Sequence, residues 1–416
     1  MMTEQEHNNV QWRKVKLGDC CSINPKTDIS KVQNDDIVSF VKMEDVSNDG
    51  FITSFSERPY KSLQKKGFTI FQNDDVIFAK ITPCMENGKG ALVRNMKSKI
   101  CLGSTEFHVL RACANVSIDF IYQLTISKRF RQRAEMQMTG SAGQQRVPTA
   151  FLEDCLISIP FKNNKPDLSA QRRIAAILAS ADKVIVATQK IIAKYKQIKQ
   201  GMMEDLLNEQ CSMNNVQWRK VRLGEVCAVN PKTDTTKVLD DDFVTFVRME
   251  DVSNDGLIAS FSERPYKSLQ KKGFTIFQND DVIFAKITPC MENGKGALVR
   301  NMKSKICMGS TEFHVLRACD NVSIDFIYQL TISKQFRQRA EMQMTGSAGQ
   351  QRVPTAFLED YLISIPFKND KPDLTEQRRI AAILSGIDAK IAAEEKVLEK
   401  YEKVKKGLME RLLNEQ

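Results

Sequence analysis

Histidine is scarce: the 416 residues contain three, His7, His108 and His314. So few imidazoles supply zinc binding and histidine-based catalysis poorly, and no cysteine stands at metal-ligand spacing from one. The eleven cysteines form no C-x-x-C pair, which fits free buried thiols in a reducing compartment. No apolar run approaches bilayer-spanning length, and the opening MMTEQEHNNV is polar. A soluble cytoplasmic protein without membrane contact is expected. G-x-x-x-x-G-K-[ST] is missing, and Gly88-Lys89-Gly90 is too short to cradle a phosphate. Asn24-Pro25-Lys26 and Asn230-Pro231-Lys232 lack the following Pro-aromatic of an amino-methyltransferase.

What the chain does contain, it contains twice. The two tryptophans, Trp12 and Trp218, open the same phrase VQWRKV, and the same offset of 206 residues aligns Lys80 with Lys286 and Arg173 with Arg379 without a gap. A repeat that long exceeds any solenoid turn, so it describes whole domains. From Ser54 to Cys113 the copies differ only at Leu102 against Met308, whereas the C-terminal parts of the repeats have diverged widely. The net charge of +10 and pI of about 9.0 favour a polyanionic partner. A twofold protein suits a twofold partner, of which duplex DNA is the commonest.

Each repeat has a globular front and a helical back. Ile37–Val41, Phe68–Phe71, Val76–Lys80 and Phe107–Leu110 are β-branched or aromatic runs separated by Ser47-Asn48-Asp49-Gly50, Gln72-Asn73-Asp74-Asp75 and Glu86-Asn87-Gly88. They read as strands and turns. Asp119–Met138 reads as one helix, with Lys128, Arg129, Arg131 and Arg133 outside its apolar face. The back begins after Pro166 and Pro372, where Asp167 and Asp373 are N-cap candidates and Glu376 would complete a capping box. Heptads then run from Ile174 to Leu206 and from Ile380 to Leu412, the pattern of a coiled-coil seam roughly 55–60 Å long. The first helix carries Lys183, Lys190, Lys194, Lys196 and Lys199, while the second has Glu394, Glu395, Glu399 and Glu402. Such complementarity favours the two helices pairing with each other, antiparallel and within one chain. A nominal P-D…E-x-K nuclease match, Pro372-Asp373 with Glu394-Glu395-Lys396, falls on this helical stretch. Its counterpart reads Thr188-Gln189-Lys190, so a duplicated nuclease site is excluded.

Several short motifs now appear in order, twice. Leu17-Gly18-Asp19 follows the tryptophan phrase; Gly103-Ser104-Thr105-Glu106-Phe107 and Gly140 to Val147 come next; Gln171-Arg172-Arg173-Ile174, or Glu376-Gln377-Arg378-Arg379-Ile380, opens the helix. The chain thereby resembles the specificity subunits of type I restriction-modification systems. The resemblance implies an α+β fold: two tandem mixed α/β target recognition domains, separated by two long antiparallel helices forming a coiled coil, with pseudo-twofold symmetry. The expected divisions are 1–166 and 211–372 for the recognition domains, and 167–210 and 373–416 for the helices. It also implies a non-catalytic chain in a nucleoid-associated complex. Its partners would be double-stranded DNA, two methyltransferase subunits and two restriction/translocase subunits. No cofactor is expected here, S-adenosylmethionine, ATP and Mg belonging to those partners. The other reading is a twofold coiled-coil scaffold that organises protein partners without reading DNA.

The helices are close to neutral, so the fronts hold most of the excess positive charge. Arg58, Lys61, Lys65, Lys66, Lys89, Arg94, Lys97 and Lys99, with copies from Arg264 to Lys305, read as phosphate contacts. Base reading needs planar or paired donors. The candidates are Lys80, Thr82, Asn87, Lys89, Gln144, Gln145 and Arg146, with Lys286, Thr288, Asn293, Lys295, Gln350, Gln351 and Arg352 in the second copy. Arg94, Lys97, Arg300 and Lys303 complete the expected DNA-binding set. Gly140–Val147 could equally be a domain-closing loop, and Phe107 and Val109 read as core strand positions. Lys128–Arg133 could be a solvated face or a methyltransferase contact. Two near-identical readers predict an interrupted palindrome as the target.

Overall fold

The computed structural model describes residues 11–141, 143–207, 216–347 and 349–413, without the side chains of Lys65 and Lys271. Val10, Ala142 and Ala348 of the motifs above, and the phosphate contact expected of Lys65, lie outside the described residues. The chain forms two compact units, 1–188 with 397–416, and 189–396. Each therefore contains one recognition domain, one end of the long helix that follows it, and part of the other long helix. This differs from a division into fronts and backs, because both helices cross from one unit to the other.

In the first unit, β1 (Gln11–Lys16), α1 (Leu17–Cys20) and β2 (Cys21–Ile23) lead into β3 (Ile37–Val41) and β4 (Ser56–Pro59). Then come β5 (Thr69–Gln72), β6 (Asp75–Ala79), β7 (Gly90–Leu92), β8 (Ile100–Gly103) and β9 (Phe107–Ala112). They form two four-stranded sheets, β4-β3-β8-β5 and β2-β9-β6-β7. In the first sheet β3 pairs parallel with β8, and in the second β6 pairs antiparallel with β9, Ile77 opposite Val109. Every residue of β6 is buried, as expected of a central strand covered on both faces. Asp75 on that strand is fully buried, and both its oxygens accept from Arg111 at 2.7 Å. A third sheet joins β1 to β10 (Leu156–Lys162) and β11 (Lys165–Pro166).

The expected single helix over 119–138 is two, α2 (Ile118–Thr125) and α3 (Lys128–Glu135). Ser127 separates them: its hydroxyl donates to Leu124 O at 2.6 Å, closing one helix, and accepts from Phe130 N at 3.3 Å, capping the next. Arg131 consequently turns inward rather than outward. After α4 (Thr149–Asp154), α5 runs unbroken over Leu168–Leu206, and its counterpart spans Leu374–Leu412. Asp167 caps the first through Ala170 N at 3.0 Å, and Asp373 caps the second through Glu376 N at 3.1 Å. The expected capping box is not completed. Glu376 is held by Arg379 at 2.6 and 2.7 Å, and Asp373 N donates to Pro366 O at 2.8 Å.

The helices build the cores. Gln171, fully buried, accepts from Ser117 N at 2.9 Å and so ties α5 to the start of α2. Ile174, Ala175 and Leu178 share one cluster with Leu17, Phe78 and Phe120, and Leu413 from the far end of the second helix joins it. In the second unit Met203 and Leu207 play that part beside Ile380 and Leu384. Within each unit the two helical segments run antiparallel, as predicted. Lys405 reaches Asp182 at 2.5 Å in one, and Lys199 reaches Asp388 at 2.6 Å and Lys196 reaches Glu395 at 2.8 Å in the other. Gln123 from α2 donates to the same Asp182 at 3.0 Å. Among the described residues no helix is long and apolar enough to cross a membrane.

Candidate nucleic-acid interface

Two segments far apart in sequence meet beside the end of β6. Lys80 N donates to Glu106 O at 2.9 Å, Val147 N to Lys80 O at 2.8 Å and Thr82 N to Gln145 O at 3.0 Å. Arg146 also bridges Ile81 on one side and Thr139 on the other. Lys80, Thr82, Gln144, Gln145 and Arg146 therefore form one surface. Gln144 and Gln145 are exposed and Arg146 is half-buried. Gly140–Val147 thus closes the domain and carries exposed donors as well.

Arg146 is not a bare cation. Its Nε and Nη2 donate to the two oxygens of Glu106 at 3.0 and 2.9 Å, and Nη1 donates to Gln144 O at 3.1 Å. The paired hydrogen bonds hold the Glu106 carboxyl below its usual range and push the guanidinium further up. Such a fork fixes the guanidinium plane and still leaves unused N–H groups for a ligand. Sequence reading placed Glu106 only within the Gly103–Phe107 motif, without a role of its own; the partner that reveals its role lies forty residues away along the chain.

Loop 81–90 turns through a cis Thr82–Pro83 bond. Beneath it lies Arg131, stacked 4.3 Å from the Phe78 ring and donating to the carbonyls of Thr125, Met85, Lys89 and Gly88 at 2.8 to 3.2 Å. Burial pulls this guanidinium down to about 10. Gly88 has φ +86°, and a Cβ there would meet Asn48 O at 2.5 Å, so the loop needs glycine. Asn87 is left exposed.

Two expected DNA contacts, and their copies, are engaged elsewhere. Lys89 donates its ammonium to Met43 O and Val46 O at 2.8 and 2.7 Å, and Lys295 does the same to Met249 O and Val252 O at 2.9 Å. These lysines tie down a neighbouring turn, because a shielded ammonium takes the carbonyls within reach. Arg94 is held between Asp74 and Asp119, and Arg300 between Asp280 at 3.3 Å and Asp325 at 2.8 Å. Both are thereby neutralised. Lys97 meets Glu57 at 3.2 Å but stays largely exposed, so it can still neutralise a phosphate. Lys303 occupies the equivalent place in the sequence. The structure adds Lys26: with Thr27, Thr69, Lys80, Thr105 and His108 it lines a concavity of about 570 Å³ next to this surface.

The second unit repeats the arrangement. Arg352 donates to Glu312 at 2.9 Å through both nitrogens, Thr288 N to Gln351 O at 3.0 Å and Val353 N to Lys286 O at 2.8 Å. Gln350 and Asn293 are exposed. Among the described residues no cluster of three or more His, Cys, Asp or Glu could hold a metal.

A family model described as type I restriction modification DNA specificity domain matches residues 9–200 and again 215–403. The chain belongs to this family. Two Escherichia coli relatives are similar to parts of it. The type I restriction enzyme EcoEI specificity subunit is 37% identical over 169 residues, 40% of this chain and 27% of its own. The EcoAI specificity subunit is 35% identical over 221 residues, 52% and 34%. The chain thus spans about a quarter to a third of the length of these curated relatives. A solved type I restriction-modification S subunit from M. genitalium shares the fold at 15% identity, with a TM-score of 0.55 over 98% of both chains. Family membership accords with the sequence motifs and with the paired helices found within each unit.

Proposed function

We propose that this chain is the DNA-recognition subunit of a type I restriction-modification complex and does no chemistry itself. One observation carries the reading: two sequence-identical surfaces, Lys80-Thr82-Gln145-Arg146 and Lys286-Thr288-Gln351-Arg352, with the same backbone hydrogen bonds and the same arginine–glutamate fork. Each is a basic, partly exposed cluster of the donors that read base edges. Two methyltransferase subunits and two restriction/translocase subunits would use the chain to choose adenines for methylation and sites for cleavage. S-adenosylmethionine, ATP and Mg would sit on those partners.

Identical readers demand identical half-sites. Both units are also assembled from the same parts, a recognition domain with segments of both long helices. The target is therefore an interrupted palindrome. Methylome sequencing of cells expressing the complete complex tests this directly. The expected result is one half-site on both strands around an unspecified spacer; two unrelated half-sites would overturn it.

A further inference from the structure

Loop 81–90 carries one acidic residue, Glu86, beside a surface of Lys80, Asn87, Gln144, Gln145 and Arg146 whose other carboxylate, Glu106, is held by Arg146. Glu86 Oε1 accepts from Thr82 Oγ1 at 2.9 Å. Its Oε2 is shielded from solvent and has no hydrogen-bond partner among the described residues. A carboxylate oxygen in that state loses hydration with nothing to offset the loss.

The second copy has the same sequence from Ile287 to Gly296, yet there Glu292 is exposed. Thr288 Oγ1 faces Met344 Sδ at 3.8 Å, as Thr82 Oγ1 also faces Met138 Sδ at 3.9 Å, so the copies differ in the carboxylate alone. One loop sequence thus accommodates its carboxylate folded against the threonine or turned outward. The backbone does not share that freedom. Met85 N–Ile81 O and Asn87 N–Pro83 O are both 3.0 Å, and the equivalent bonds of Met291 and Asn293 are also 3.0 Å. A swinging acceptor stands on a fixed loop.

A carboxylate on a surface that meets DNA repels phosphates, so it adds nothing to sequence-independent affinity. What it can do is accept an N–H from a base edge. In the major groove the only such donors are the exocyclic amino groups, N6 of adenine and N4 of cytosine. We propose that Glu86 and Glu292 are specificity-determining residues, each accepting a hydrogen bond from one such amino group in its half-site. The proposal rests on the DNA-reading function above.

Selection of random duplexes by the full chain gives the test. The wild-type chain enriches a motif, and E86A/E292A flattens the preference at one position of each half-site, by roughly tenfold. Duplexes with purine for adenine, or pyrimidin-2-one for cytosine, at that position then separate contact from folding. The wild-type chain loses about as much on the analogue as the variant loses on the natural base. The variant loses nothing further on the analogue, and E86Q/E292Q, which keeps an acceptor, retains sensitivity to it. Unchanged base frequencies in E86A/E292A, or an analogue penalty equal in wild type and that variant, would overturn the proposal while leaving the DNA reading intact. If the wild-type chain enriches no motif, the DNA reading falls and this inference with it.

Discussion

Arg146 Nη2 lies 2.9 Å from Glu106 Oε1, and Arg352 Nη2 lies 2.9 Å from Glu312 Oε1. The fork sets the plane of a guanidinium that would otherwise sweep a wide arc, and ordering it in advance lowers the entropy cost of binding. Replacing both acids, E106Q with E312Q, removes two negative charges from the surface proposed to face DNA. Nonspecific affinity should rise while the ratio of specific to nonspecific affinity falls, by about tenfold. Anisotropy titrations on specific and scrambled duplexes measure both, and an equal gain on each would refute the positioning role.

Base readers and phosphate contacts should separate by salt. R146A with R352A is expected to cost far more on the specific duplex than on a scrambled one. K97A with K303A should weaken both alike and lower the slope of log K against log salt by about two, one per lysine. Parallel titrations over a salt series check the sorting.

The helix ion pairs should differ in worth. Asp182, buried and shared by Gln123 and Lys405, ties a recognition domain to both long helices. Removing Lys405 strands a buried carboxylate, so K405A should lower stability by about 3 kcal/mol. Lys196 and Glu395 are partly exposed, and K196A should cost under about 1 kcal/mol. Denaturant melts of the two variants supply the comparison; equal losses would contradict the difference in burial.

His108 and His314 set a pH dependence. Each donates Nε2–H to a carbonyl, of Val147 and Val353, at 2.8 Å, and burial holds both below the ordinary histidine value. The unfolded chain therefore binds more protons than the folded one as pH falls below about 6.5. Stability should be fully present above that pH and decline as pH drops towards the folded values. Unfolding free energies measured from pH 7.5 to 5.5, with H108Q/H314Q flattening the slope, check the sign.

Strands β3, β5, β6 and β9 were legible because β-branched runs between Asn, Asp and Gly turns permit few alternatives. The long helices were legible from heptads that continue for ten turns. The break at Ser127 was not, since 119–138 keeps a helical apolar face across it and only a side-chain cap ends α2. The candidate reading surface was half legible. Gln144, Gln145 and Arg146 stood out by type and spacing, but Lys89 and Arg94 looked equally suitable. Glu106 and Lys26 carried no comparable local signal.

By itself the sequence determined that the protein is one unit written twice, with β-rich fronts, heptad backs and an excess of positive charge. These properties are local or periodic, so they survive without knowledge of contacts. Only the tertiary structure decided which charges remain for a ligand. Lys89 goes to the carbonyls of Met43 and Val46, Arg94 to Asp74 and Asp119, and Arg131 beneath the loop it supports. A cation's role depends on which acceptor the fold brings within hydrogen-bond reach, and those acceptors are distant in sequence.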